Sequence, residues 1–161
     1  MTPGIKAADR AGIHYRLHDY PHDSDAESWG MEAAEKLGIE PERVFKTLVA
    51  KLDGSELVVG MVPVNTMLSL KELARAANGK KAVMADRQTV ERSTGYVLGG
   101  VSALGQKKRL RTFIDASAGE LETLFISAGR RGLEIELAPT ALIAVTQGAY
   151  APLQQSRADS T

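Results

Sequence analysis

RVFKTLVAKLDGSELVVGMVPV, residues 43–64, joins two apolar runs through Asp53-Gly54. Runs rich in Val, Leu and Phe on either side of Asp-Gly predict a β-hairpin. Strand side chains project to alternate faces. Lys46 therefore shares a face with Val44, Leu48, Ala50 and Leu52, and that face is apolar except for the lysine. An ammonium enters an apolar wall only where something negative or strongly polar meets it. Either Lys46 snorkels to water, or it meets a ligand.

Working outward, the flanking segments alternate between helical and extended patterns. Thr2-Pro3 reads as an N-cap and first helical position for a helix to Gly12. IHYRLHDY, 13–20, alternates as a strand stopped by Pro21, and residues 22–28 form a loop. WGMEAAEKLG is a helix closed by Gly38. Ser69 and Asp86 cap two further helices, LKELARAANG and RQTVERST, with the short strand KKAVMA between them. RTFIDA, ETLFISA and GLEIELA are strands, the last two joined through GRRG, and Pro139 opens a final helix. Strands outnumber helices and several neighbours are hairpin-linked. The expected fold is α+β, or mixed α/β, with a curved, largely antiparallel, barrel-like sheet and flanking helices. Regular βαβ alternation is absent, and GYVLGGVSALG lacks the spacing of a dinucleotide-binding loop.

Composition narrows the function classes. The 161 residues suit one domain, and 43% hydrophobic residues suit a packed core. Twenty basic side chains balance 20 acidic ones, so polyanion binding requires a local patch. The chain has no cysteine, which excludes disulfides, thiolate nucleophiles and cysteine-ligated zinc. The start, MTPGIKAADRAG, has no apolar leader, and no run approaches the roughly 18 apolar residues of a membrane span. A cytoplasmic, membrane-free protein is the default expectation. QQSRADST at the end is polar, and residues 151–161 are expected to be a disordered or frayed tail.

Chemistry-bearing patterns are few. His14, His18 and His22 would make a metal face on a helix, but they fall on a strand ended by Pro21, so no metal is expected. No Ser-His-Asp order or nucleophile elbow is present. In LGGVSALGQ the paired glycines permit close backbone approach to a ligand, or simply serve a long hairpin loop. Lys107, Lys108 and Arg109 follow it, and Arg130 and Arg131 sit in GRRG. These runs are either a solvated face or a phosphate-contacting rim.

TPGIKAADRAGIHYRLHDYPHD, AAEKLGIEPERVFKTLV, MVPVNTMLSLKELARAANGKKAVMA, ERSTGYVLGGVSALGQKK and SAGRRGLEIELAP together resemble the YbaK/EbsC family of bacterial Cys-tRNA(Pro) deacylases, from Thr2 to about Leu142. The resemblance implies a free-standing editing domain, expected over residues 1–150, with no metal or organic cofactor. It implies hydrolase or lyase action on the aminoacyl ester of mischarged Cys-tRNA(Pro), with prolyl-tRNA synthetase as a transient partner. The cysteine thiol of the substrate would attack its own ester. By this likeness Lys46 is the signature lysine, Gly99 and Gly100 hold the aminoacyl end, and Tyr20, Thr47, Ser102, Ser127 and Glu134 border the substrate. Lys107, Lys108, Arg109 and Arg130 would contact the tRNA. One departure stands out: Ala103 occupies the place of a usual proline, which would leave the loop less stiff and amino-acid selectivity open. The alternatives are a deacylase for another residue, such as Ala-tRNA(Pro), or a non-catalytic module binding tRNA or the synthetase.

Overall fold

The hairpin predicted at the outset is the spine of the molecule, seen in a computed structural model that describes residues 1–23 and 29–156. Strand β2 (Phe45–Leu52) pairs antiparallel with β3 (Glu56–Pro63) in the register Lys46↔Val62 and Leu52↔Glu56. Both faces of β2 are covered, which explains its nearly continuous apolar run. Phe45 and Val49 enter one core, while Ala50 and Leu52 enter another beneath a helix.

Preceding elements are helix α1 (Pro3–Ala11), strand β1 (Tyr15–Asp19) and helix α2 (Trp29–Leu37). After β3 come α3 (Leu70–Ala76), β4 (Ala82–Met84) and α4 (Arg87–Thr94). Then follow β5 (Arg111–Asp115), β6 (Leu124–Arg130), β7 (Leu133–Leu137), α5 (Pro139–Thr146) and β8 (Ala149–Ala151). The predicted caps are made: Thr2 Oγ1 accepts from Ile5 N, Ser69 Oγ from Glu72 N and Asp86 from Thr89 N.

The single barrel-like sheet expected above resolves into two sheets, and no closed barrel is present among the described residues. One is ordered β1-β7-β6 and the other β4-β2-β3-β5-β8. The main core lies between them, where Phe45, Met61 and Ile114 meet Leu124, Ile126 and Ile135, with α1 and α5 contributing Ile5, Ala8 and Leu142. A bridge between Val44 and Phe125 ties the sheets together. The pairings β1–β7, β6–β7, β2–β3 and β2–β4 are antiparallel, while β3–β5 and β5–β8 are parallel.

The tail expectation is corrected as far as Ser156. β8 adds to the sheet edge beside β5, and Leu153 is fully buried under α3. Asp115 accepts hydrogen bonds from Leu153 N and Gln154 Nε2, both at 2.9 Å. A leucine and one buried carboxylate thus anchor a segment whose polar composition suggests fraying. Of the expected loop 22–28 and the tail, residues 24–28 and 157–161 lie outside the described residues. The histidines do not converge. His18 Nε2 lies 2.9 Å from Glu136 Oε1, which also draws in Thr123 and Arg43 to link β1, β6 and β7.

Candidate functional site

Lys46 stands on the floor of a cleft of about 330 Å³, at the small end of the range for small-molecule sites. β2 supplies Val44 through Leu48, and the chain after β1 supplies Tyr20. The start of α2 brings Trp29 and Gly30. The glycine segment brings Leu98, Gly99 and Val101, and the β6–β7 hairpin brings Ser127, Arg130, Arg131 and Glu134. The face on which Lys46 seemed out of place therefore runs from the α3 core out into this opening. The ammonium is half-buried, and no carboxylate lies in ion-pair range of it among the described residues. Burial lowers its pKa.

The opposite wall is acidic in name only. Glu134 on β7 is 6% exposed, and its carboxyl makes no hydrogen bond among the described residues. Burial pushes its carboxyl up to about 8, so it is mainly protonated at neutral pH. Tyr20, held through its N–H to Gly132 O at 2.9 Å, has its phenol pushed up to about 12, first by burial and then by the neighbouring Glu134. Thr47 Oγ1 is buried without a partner, and Ser127 Oγ accepts from Gly129 N at 3.1 Å in the bulge of β6. The cleft thus offers three cations without an ion pair among the described residues, Lys46, Arg130 and Arg131, facing a neutral acid. No histidine lines it.

Two glycines shape the rim. Gly99 has φ +95°, and a methyl there would sit 3.0 Å from both Arg131 Cδ and the Trp29 ring. Its bareness lets the Arg131 guanidinium lie over Trp29, 5.0 Å from the ring centroid. Gly100 abuts the hairpin backbone, since a methyl would stand 2.7 Å from Arg130 Cα. The segment from Leu98 to Gly100 and the hairpin therefore meet in a seam.

Of the residues expected at the substrate, Tyr20, Lys46, Thr47, Gly99, Ser127 and Glu134 come together here, with Arg130 at the rim. Gly100 and Ser102 do not line the cleft. The Gly100 N–H is spent on Val97 O at 2.9 Å. Ser102 is fully buried within its own loop, where its Oγ accepts from Leu104 N. Ala103 packs into the main core, so its difference from proline touches the loop's foundation and not the cleft wall. Lys107 and Lys108 are exposed beside the end of α4, while Arg109 borders a separate hollow with Arg10. Sequence reasoning missed Trp29 and Arg131 as cleft residues. The signal available was that Trp29 is the sole tryptophan and opens a helix immediately after a polar loop.

Comparison with known proteins agrees with this architecture. The profile of the aminoacyl-tRNA editing domain matches residues 24–145. The Enterococcus faecalis protein EbsC, by assignment a Cys-tRNA(Pro)/Cys-tRNA(Cys) deacylase, is 36% identical over 152 residues, covering 94% of this chain and 92% of EbsC. YwhH of Bacillus subtilis, a protein without an assigned activity, is 29% identical over 69% of this chain and 70% of its own. A crystal structure assigned as a trans-editing enzyme for prolyl tRNA synthetase superposes with a TM-score of 0.83 at 22% identity, covering 97% of this chain and 99% of that one. By its sequence over three quarters of its length, the chain belongs to the aminoacyl-tRNA editing domain family.

Proposed function

We propose that this protein removes a wrong amino acid from tRNA in trans, with Cys-tRNA(Pro) as the principal substrate and prolyl-tRNA synthetase as a transient partner. The observation that carries the reading is Lys46: a half-buried ammonium without a counter-ion among the described residues, on the floor of a cleft fit for one aminoacyl nucleoside. A ligand bearing negative charge at the ester end of a polyanion supplies what the lysine lacks. The assignment of EbsC supports the choice of substrate.

The cleft has no histidine and its carboxyl is mainly protonated, which favours a substrate that brings its own nucleophile. In cysteinyl-tRNA the thiol sulfur attacks the ester carbonyl carbon. The C–S bond forms, the C–O bond to the ribose breaks, and the thiol proton ends on the departing ribose oxygen. A four-membered thiolactone leaves and water opens it to cysteine. The protein's part is to fold the aminoacyl group into attack geometry, a contribution of roughly 7–11 kcal/mol in favourable cases, and to stabilise the oxyanion. With the Gly100 N–H spent, the Gly99 and Val101 N–H groups become the candidate donors, since neither has an acceptor among the described residues. Protonated Glu134 can donate a further hydrogen bond.

The test is release of cysteine, alanine and serine from tRNA(Pro) by the purified protein. Cysteine is expected to leave fastest, and Lys46→Ala to slow its release by on the order of 100-fold. Preferential loss of alanine or serine would demand an activated water and overturn the thiol route. Tight tRNA binding without any release would make the protein a binding module.

A further inference from the structure

On the far side of the seam lies a second hollow, of about 490 Å³, lined by His22, Val97, Gly129, Arg130 and Arg131 among others. We propose that it is a nucleotide subsite, receiving the phosphodiester-linked nucleotide that precedes the esterified one. The inference rests on the deacylase reading and deepens it.

Continuity is the first argument. Leu98, Arg130 and Arg131 line both the cleft and the hollow, so the two are separated only by the contact of the glycine segment with the hairpin. An ester seated at Lys46 is the end of a polyanion, and the rest of that chain must leave the cleft. Lys46, Arg130 and Arg131 are the lysines and arginines of the cleft lining, and both arginines stand on the side shared with the hollow. The exit therefore runs over the seam.

Charge is the second. The hollow is lined by two arginines and His22, with no aspartate or glutamate among the described residues. Arg130 is exposed and makes no ion pair or side-chain hydrogen bond among the described residues. Arg131 donates to Asp23 O at 3.3 Å and stacks on Trp29, yet its Nε is buried without a partner. Gly95 also lines the hollow, with Lys107 Cβ 3.4 Å from where its own Cβ would stand. Unspent guanidinium donors in a fixed fork suit a phosphodiester.

Shape is the third. The floor includes Tyr96, whose hydroxyl donates to Leu104 O and locks the ring in the core. Val97, 66% exposed, offers an apolar edge against a ribose or base. The hollow is thus rigid beneath, cationic on the seam side and apolar at the lip.

The experiment compares kcat/KM for 3′-cysteinyl adenosine with that for the 3′-cysteinyl cytidylyl-adenosine dinucleotide. The dinucleotide is expected to be better by about tenfold, the worth of one charge-assisted contact. Arg130→Ala and Val97→Glu should each collapse that ratio toward one, and Arg130→Lys should restore part of it. A merely structural lesion lowers both rates and leaves the ratio, which would overturn the subsite, as would a wild-type ratio of one. Uncharged adenosine and cytidylyl-adenosine, titrated against the fluorescence of Trp29, give a readout independent of turnover. If neither ester is cleaved the deacylase reading falls, and the subsite then stands or falls on whether the dinucleotide binds more tightly and Arg130→Ala removes the difference.

Discussion

Lys46 and Glu134 face one cleft in unusual states, one a cation without a counter-ion among the described residues and the other an acid that mainly keeps its proton at neutral pH. Lys46→Ala removes a half-buried charge that no described residue pairs with. Deacylation is expected to fall by on the order of 100-fold through loss of positioning, while Tm holds or rises. A variant with parental kcat/KM on Cys-tRNA(Pro) would strip the lysine of its role. Glu134 makes a pH prediction with a definite sign. Its carboxyl lies at about 8 in the folded protein against an ordinary value of 4.5. Between those values the native state holds a proton that the unfolded chain has released, so stability falls as pH rises from about 4.5 to about 8. Glu134→Gln removes that dependence, and its Tm gain should be larger at pH 8 than at pH 5. Parallel Tm–pH curves for parent and variant would show that Glu134 ionises like an exposed carboxyl. These two cleft residues differed in how readily the sequence exposed them. Lys46 broke an apolar period and could be seen. Glu134 alternates with apolar neighbours as any solvent-facing strand acid would, and only the sheet packed against it shows that it is buried.

Two elements carry positional information that no short window contains. The glycine segment works by contact with the β6–β7 hairpin, where Gly100 abuts Arg130 Cα. Gly100→Ala forces backbone away from backbone, at a cost of about 1–3 kcal/mol, and should open the seam that separates cleft from hollow. Urea unfolding measures the first effect and the dinucleotide-to-adenosine ratio the second. At the other end of the chain, Leu153 is fully buried and Asp115 binds the backbone beside it. Leu153→Ala is expected to destabilise by about 2–5 kcal/mol, whereas a frayed tail would tolerate it. Burial alone would raise the Asp115 pKa, but hydrogen bonds from Ser117, Leu153 and Gln154 outweigh it and hold the carboxyl low. Its share of the anchoring is therefore present at neutral pH and lost only in acid, as pH falls through that lowered value. The hairpins were legible because Asp-Gly and GRRG sit between adjacent runs. RTFIDA was legible as strand β5, but its parallel pairing and β8 were not, because three residues of AYA have no meaning until an edge is there to receive them.

At the scale of the whole molecule the formal net charge is zero, so tRNA affinity must come from one region. Under the proposed subsite, the arginines of the seam supply it. Binding of tRNA should weaken steeply with salt, and Arg130→Ala should reduce the slope of log K against log salt by about 0.7–0.9. Arg109→Ala should change it less, because Arg109 borders a different hollow with Arg10. Equal slopes for the two variants would spread the RNA footprint around to that second face. The amino-acid order alone dictated the helices with their caps, the hairpins, the α+β class and the oddity of Lys46. Those depend on periodicity, turn chemistry and capping, which act within about a dozen residues. Folding in three dimensions decided the rest: that the curved sheet is two sheets, that Ser102 and Ala103 face inward, and that Trp29 and Arg131 close over Gly99. Each depends on which distant surface a residue meets, and burial, ion pairing and pKa exist only once that surface is in place.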